Sequence, residues 1–170
     1  LTGIGRVVFQ YIQELQKADQ KNQYFILTPE KIDPGILFNP RWTNLVFVKE
    51  REKMNLFLKI KRRIMRKLFN FAFSYFALRY DFDILIMTST NVYPLFPLKR
   101  RVKLVPFIYD LVWKLYPETM SKTNRWILKS TIKKIIKKAF HLITISQSVA
   151  REFKTLLNFN KPITAIPLAA

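Results

Sequence analysis

Asp110 is the first candidate catalytic residue, because it stands at the end of an apolar run. Residues 102–110 read Val-Lys-Leu-Val-Pro-Phe-Ile-Tyr-Asp, in which β-branched and aromatic residues predict a buried strand. An open α/β sheet binds its ligands outside the carboxyl ends of its strands, so a carboxylate there is a candidate site residue. An aspartate at a strand end is equally expected to cap the following turn. The sequence therefore predicts one of two roles for Asp110, site carboxylate or turn cap.

A glycine-containing segment near the start of the chain is a candidate phosphate site. It reads Gly3-Ile4-Gly5-Arg6 and opens a helical pattern with an apolar stripe of Val7, Tyr11 and Leu15. Backbone N–H groups at a helix N-terminus attract anions, glycine lets a ligand approach closely, and arginine adds a forked donor. The alternative is an ordinary helix start, where small residues are common.

Hydroxyl and amide side chains follow another predicted strand, Asp83–Thr88. They are Thr88, Ser89 and Asn91. At the ligand end of a sheet such groups can bind sugar hydroxyls, although the same residue types are also ordinary turn formers.

A long helical region from about Met54 to Tyr80 is amphipathic and strongly basic. Its predicted buried face follows helical spacing through Phe57, Ile60, Ile64, Leu68, Phe71, Tyr75 and Leu78. Its first half carries a cationic group, called here the 59–67 cluster, which consists of Lys59, Lys61, Arg62, Arg63, Arg66 and Lys67. The apolar surface continues around the helix through Phe69, Phe73 and Phe76. We interpret the second half as a crossover helix and predict that the 59–67 cluster contacts an anionic membrane.

A further helix is predicted after Pro117, reaching about Phe140. Its inward face is predicted to be Leu128, Ile132, Ile135, Ile136 and Ala139. Its basic row, a second candidate for anion contact, is Arg125, Lys129, Lys133 and Lys137. His141 follows and is interpreted as structural, because it lies at the sheet edge opposite the predicted site.

Strands alternate with helices along the whole chain. The predicted strands are Tyr24–Thr28, Leu45–Val48, Asp83–Thr88, Val102–Asp110, Leu142–Ile145 and Ile163–Pro167. Ser146 or Ser148 is expected to cap a helix that reaches about Leu157. This alternation predicts a Rossmann-like α/β fold, a mostly parallel sheet with helices on both faces.

Composition limits the classes of function. The 170 residues fit one domain, and 49% hydrophobic with 24% charged residues is typical of a globular chain. The balance of 30 Lys and Arg against 11 Asp and Glu gives a net charge of +19, which favours polyanionic partners. The absence of cysteine excludes thiolate catalysis, and a single histidine argues against a zinc site, so we predict no metal and no cofactor. No stretch reaches the roughly 18 uncharged apolar residues of a membrane-spanning helix.

Taken together, the motifs resemble the N-terminal domain of a glycosyltransferase family 4 enzyme of the GT-B fold. The segments that carry the resemblance are Thr2-Gly3-Ile4-Gly5-Arg6, Tyr109-Asp110-Leu111, Tyr116-Pro117-Glu118 and residues 139–148, Ala-Phe-His-Leu-Ile-Thr-Ile-Ser-Gln-Ser. Family members usually have His-Asp-Leu in place of Tyr109-Asp110-Leu111, and Ala-Asp in place of Phe140-His141.

The resemblance implies a hexosyltransferase-type enzyme of polysaccharide biosynthesis. It would transfer a sugar from a nucleotide-diphosphate donor to a saccharide or lipid-linked acceptor, with retention. Gly3, Ile4, Gly5 and Arg6 would bind the donor diphosphate, and Asp110 would orient the acceptor hydroxyl or accept its proton. The implied acceptor-binding residues are Thr88, Ser89, Asn91 and Tyr109. The expected location is cytoplasmic, with peripheral attachment to the inner face of the membrane.

Residues 1–170 are expected to form one acceptor-side domain. We expect its first strand and a C-terminal donor-binding domain to be missing, since no strand precedes Leu1 and no Glu-x7-Glu pattern is present. The chain alone is then expected to be inactive.

Two other classes remain open from the sequence. A dinucleotide-binding domain needs a third glycine at position 8, which is Val8, and an acidic residue after the next strand. A basic nucleic-acid-binding module is suggested by the net charge alone, and it would bind oligonucleotides with steep salt dependence.

Overall fold

The computed structural model describes residues 3–28, 32–46, 71, 75–76, 78–90 and 101–167. The chain forms two compact units, Leu1–Phe73 and Ser74–Ala170. The elements of the first unit are α1 (Gly3–Ala18), β1 (Tyr24–Thr28), a 3-10 turn (Pro34–Ile36) and β2 (Trp42–Val46). The elements of the second unit are β3 (Ile84–Met87), β4 (Lys103–Ile108), α2 (Val112–Leu115), a 3-10 turn (Pro117–Thr119), α3 (Lys122–Lys138), β5 (Leu142–Thr144), α4 (Gln147–Leu157) and β6 (Ile163–Ala165).

In the first unit, β1 and β2 pair in parallel. The register places Tyr24 opposite Trp42, and their rings stack with centroids 4.2 Å apart. Strand β2 therefore begins at Trp42, earlier than the predicted Leu45. The difference has a physical cause in Asn44, a residue typical of turns. Its amide donates to the Ile26 carbonyl at 3.1 Å and to Thr28 Oγ1 at 2.7 Å, so the neighbouring strand satisfies it inside the sheet.

A buried polar side chain ties α1 to the segment between β1 and β2. Gln16 is 0% exposed, whereas the predicted stripe of α1 is only half-buried. Gln16 Nε2 donates to the Ile36 carbonyl at 2.9 Å, and its Oε1 accepts from the Asn39 N–H at 3.2 Å. The Asn39 amide donates in turn to the Gln16 carbonyl at 3.0 Å. A fully paired buried amide of this kind specifies one position for the segment it holds.

Replacing Gln16 with alanine should lower the free energy of unfolding by about 2 kcal/mol, because it leaves the buried Asn39 N–H without this acceptor. Urea denaturation of the intact protein measures the change. The matched control is Gln10→Ala, an exposed glutamine on the same helix, which should cost no more than about 0.5 kcal/mol. Equal losses in both variants would contradict the structural role of Gln16.

In the second unit, four strands form a parallel sheet in the order β3-β4-β5-β6. The register pairs Met87 with Pro106, and Ile108 with Thr144. The two inner strands, β4 and β5, are mostly buried, as their apolar runs predict. Every described strand pairing is parallel, and the Rossmann-like α/β fold class is confirmed.

Strand β3 differs from its prediction as a buried strand. Ile84 is 55% exposed, and only Leu85 and Met87 are buried. The strand stands first in the strand order of the four-stranded sheet, so it has one described neighbour, and its side chains alternate between buried and more exposed positions.

Serine caps fix the starts of α3 and α4. Ser121 Oγ accepts the Asn124 N–H at 3.3 Å, so α3 begins at Lys122 rather than directly after Pro117. Ser146 Oγ accepts the Val149 N–H at 3.2 Å and thereby caps α4, one of the two predicted capping residues. The inward face predicted for α3 is confirmed at Ile132 and Ile135, which are buried.

The predicted buried face of the basic helix is wrong at its C-terminal end. Phe71, Tyr75 and Leu78 are 53%, 54% and 46% exposed. Phe76, predicted to lie outside that face, is half-buried, with its ring centroid 5.9 Å from that of Tyr80. The cause is the density of apolar residues here, which lets several helical stripes fit the sequence equally well. The rest of that face and the 59–67 cluster lie outside the described residues.

Candidate functional site

The candidate site is built on the carboxyl ends of β3 and β4. The Tyr109 hydroxyl donates to the Thr88 carbonyl at 3.1 Å and thereby connects the residues that follow these two strands. Tyr109 is half-buried and its ring stacks on Phe107, with centroids 6.2 Å apart. The Tyr109 phenol is a neutral hydrogen-bond donor at neutral pH, and burial raises its pKa further. Thr88 and Tyr109, both predicted acceptor residues, therefore lie together.

Asp110 follows Tyr109 and is exposed. Its Oδ1 accepts a hydrogen bond from the Val112 N–H at 3.1 Å, so the carboxylate closes the turn that leads into α2. The turn-cap role is therefore present in the structure. Because the side chain is exposed, this role leaves the carboxylate accessible to a ligand, and the two predicted roles are compatible.

Two buried side chains hold the segment that carries Asp110. Leu111 is 1% exposed and Trp113 is 8% exposed, and the Leu111 carbonyl accepts the N–H groups of Lys114 and Leu115 at 2.8 and 3.0 Å. The Trp113 indole Nε1 is buried and has no hydrogen-bond partner among the residues that the structure describes. Trp113 was not predicted to support the site, and the available signal is the apolar run Leu111-Val112-Trp113 directly after the candidate carboxylate.

The end of the neighbouring strand β5 lies at the same edge of the sheet. Thr144 is fully buried, and its Oγ1 donates to the Ser146 carbonyl at 3.1 Å. The Ser146 hydroxyl oxygen accepts the cap bond from the Val149 N–H and thereby holds the start of α4. Ser89 is half-buried after β3. Asn91, also predicted as an acceptor residue, lies outside the described residues.

The predicted phosphate segment is the first turn of α1 and not a loop before it. Gly3, Ile4 and Arg6 are exposed, Gly5 is half-buried, and this turn contains no acidic residue. A Cβ added at Gly3 would meet no atom within 4 Å. The first N–H groups of a helix carry partial positive charge, so an exposed turn with an arginine can attract an anion. The turn belongs to the first unit, whereas Asp110 belongs to the second.

Residues 1–169 match the sequence profile of Glycosyltransferase Family 4. The chain belongs to this glycosyltransferase family. The match covers both units and confirms the resemblance to the N-terminal domain of family 4 enzymes. Searches of curated proteins and of solved structures gave no match.

In this glycosyltransferase domain, His141 contacts Thr164 of β6 through a hydrogen bond of 2.9 Å between Nε2 and Oγ1. The contact supports the structural interpretation of His141. Among the described parts of the chain, no group of three or more His, Asp or Glu side chains is arranged to hold a metal ion. Over the same residues, no helix has the length and apolar content needed to cross a membrane.

Proposed function

We propose that this glycosyltransferase domain binds the acceptor of a retaining hexosyl transfer from a nucleotide-diphosphate sugar. The acceptor we propose is a saccharide or a lipid-linked saccharide of polysaccharide biosynthesis. The observation that carries the proposal is the exposed Asp110 carboxylate at the carboxyl edge of a parallel sheet, in a chain of family 4. Ligands of open α/β sheets bind at this edge.

At that edge, Asp110 would orient the acceptor hydroxyl or accept its proton during transfer. The Tyr109 hydroxyl holds the Thr88 carbonyl, which supports the loop that we assign to acceptor contact. Thr88 and Ser89 lie in it, and Asn91 is assigned to the same contact from the sequence. A rigid support of this kind is needed because a catalytic group must be held close to its productive position.

The first turn of α1 is the proposed contact for the donor diphosphate. The N–H groups of Gly3, Ile4 and Gly5 and the Arg6 guanidinium would stabilise the negative charge that develops on the leaving group. The nucleotide sugar itself is proposed to be held mainly by a second domain. Residues 1–170 alone would then lack half of the catalytic cleft.

We also propose a cytoplasmic location with peripheral attachment to an anionic membrane through the 59–67 cluster. A lipid-linked acceptor would then be presented at the surface where the enzyme is bound. Each cation near such a surface contributes about 1 kcal/mol before screening by salt.

The function is tested by assaying the full-length protein and residues 1–170 separately against a panel of nucleotide sugars. Oligosaccharide and lipid-linked acceptors are supplied together, and both transfer and donor hydrolysis are followed. We expect transfer by the full-length protein only, because the rate depends on holding donor and acceptor in one geometry. NMR of the new anomeric centre reports retention.

Absence of transfer and of hydrolysis with every donor would contradict the proposed reaction. Transfer by residues 1–170 alone would contradict the two-domain part and place the donor site within these residues. An inverted anomeric centre would contradict retention only.

A further inference from the structure

All the charged side chains of helix α3 are positive. Its sequence, Lys-Thr-Asn-Arg-Trp-Ile-Leu-Lys-Ser-Thr-Ile-Lys-Lys-Ile-Ile-Lys-Lys, contains many lysines and no aspartate or glutamate. Ile132 and Ile135 are buried on one side of the helix, at 2% and 0% exposure. The charged residues must therefore occupy the remaining surface, where no carboxylate of α3 itself neutralises them.

Five of the exposed residues of α3 form a stripe along one side of the helix. We call it the α3 stripe, and its members are Lys122, Trp126, Lys129, Lys133 and Lys137. Successive members are three or four positions apart, the spacing that places side chains above one another on a helix. From first to last the stripe extends about 22 Å, at 1.5 Å per residue.

Trp126 lies within this stripe and is 71% exposed. The other two tryptophans, Trp42 and Trp113, are each 8% exposed, so Trp126 is the tryptophan that faces solvent. A single exposed apolar residue is ordinary on a protein surface. An exposed tryptophan with a lysine one turn away on each side is a more specific indication of membrane contact, because the indole ring favours the boundary between lipid headgroups and acyl chains.

We propose that the α3 stripe is a docking surface for an anionic lipid membrane. The lysines would contact lipid phosphates while their aliphatic stems lie beside the Trp126 ring, which enters the headgroup layer. Helix α3 would then lie parallel to the membrane plane. The stripe shares no residue with the 59–67 cluster, and the proposal does not depend on glycosyl transfer.

The chemistry of the stripe favours a membrane over a nucleic acid. Binding of single-stranded nucleic acid combines a basic groove with several aromatic side chains on which successive bases stack. The α3 stripe has one aromatic residue and lies on the exposed surface of a single helix. A straight line of cations with one interfacial ring is complementary to a flat anionic surface.

The contribution of the lysines of the α3 stripe to membrane binding is tested by co-sedimentation of the intact protein with vesicles. Vesicles of phosphatidylcholine mixed with phosphatidylglycerol are compared with vesicles of phosphatidylcholine alone. A variant with Lys129→Gln, Lys133→Gln and Lys137→Gln should bind the anionic vesicles roughly 100-fold more weakly, since each lysine near the surface contributes about fivefold. Binding of the wild type to neutral vesicles should be much weaker.

A matched control removes the same charge elsewhere. Lys21→Gln, Arg41→Gln and Lys154→Gln together neutralise three exposed cations outside α3. This variant should lose only about threefold, because cations that do not touch the surface act through a screened long-range field. Equal losses in the two triple variants would overturn the proposal, since net charge alone would then explain binding.

Trp126 also supplies a direct readout. On anionic vesicles its emission should shift to the blue and be quenched by brominated lipid. The Trp126→Phe variant should lose this difference signal and still co-sediment, with affinity reduced only several-fold because phenylalanine keeps an apolar ring. Bound protein whose Trp126 emission is unchanged would overturn the proposal.

The same assays separate this surface from the proposed function. Neutralising the 59–67 cluster should leave the quenching of Trp126 per bound molecule unchanged. If that variant loses all vesicle binding while the α3 triple variant binds as the wild type does, the α3 proposal is overturned and the 59–67 cluster stands. Binding to an oligonucleotide but not to vesicles, lost in the α3 triple variant, would also overturn it. Turnover with a soluble acceptor should be unchanged by the α3 substitutions, whichever result the vesicles give.

Discussion

Replacing Asp110 with asparagine should lower kcat of the full-length enzyme by about 100-fold or more, the usual contribution of a positioned acid or base. The substitution is chosen for its geometry. Asp110 Oδ1 accepts the Val112 N–H at 3.1 Å, and asparagine retains an oxygen that can accept the same bond. The turn before α2 is therefore preserved while the negative charge is removed. Steady-state kinetics and thermal unfolding of the same samples measure the two effects.

The matched control for Asp110→Asn is Asp33→Asn. Asp33 is also exposed, and its Oδ1 accepts the Gly35 N–H at 2.9 Å, an equivalent contact two residues along the chain. Asp33→Asn should leave kcat unchanged and Tm nearly so. If Asp110→Asn is equally harmless and only Asp110→Ala lowers Tm, then Asp110 is a turn cap and the proposed catalytic role is wrong.

The parallel sheet was predictable from the sequence because its inner strands are short apolar runs between polar breaks. Strand β4 lies within the predicted range 102–110, and β5 lies within Leu142–Ile145. A strand buried on both faces contains little besides apolar residues, so its position is readable without knowledge of its neighbours. The serine that caps α4 was predictable for the same local reason, since a cap bonds to backbone only three residues away.

Features that depend on distant partners were not predictable. Asn44 lies in a strand because its amide bonds Ile26 and Thr28, and Gln16 is buried because Ile36 and Asn39 satisfy it. Nothing local marks either residue as buried or extended. A sequence pattern contains only residue types. The burial of Gln16 and the strand position of Asn44 depend instead on hydrogen bonds to residues far along the chain.

The candidate site shows the same division. The position of Asp110 after a strand and its bond to Val112 are local, and both follow from the sequence. The bond from Tyr109 to the Thr88 carbonyl depends on the register of β3 against β4, which the sequence does not specify. On α3, even spacing by four predicted Arg125 in the basic row. In the structure Arg125 is half-buried and Trp126 takes the exposed place, because 3.6 residues per turn alternates steps of three and four.

Replacing Arg6 with alanine should lower kcat of the full-length enzyme by about 100-fold, the typical effect of removing one donor that stabilises a developing anion. Arg6 is exposed in the first turn of α1, so the free energy of unfolding should change by no more than about 0.5 kcal/mol. Arg41→Ala removes another exposed arginine of the same unit and should leave kcat unchanged. Arg6→Lys should restore part of the loss, since lysine keeps the charge but not the two-pronged geometry.

Replacing Gly3 with alanine tests the same diphosphate contact without removing any charge. Gly3 is helical, and a Cβ at this position would meet no protein atom within 4 Å, so Gly3→Ala introduces no clash. Alanine also loses less conformational freedom than glycine on folding, so the free energy of unfolding should stay the same or rise by up to about 1 kcal/mol. A diphosphate that approaches the backbone closely would collide with the added methyl group, and kcat/KM should then fall although stability does not. If both Gly3→Ala and Arg6→Ala keep wild-type kinetics, the first turn of α1 does not bind the donor and serves only as a helix start.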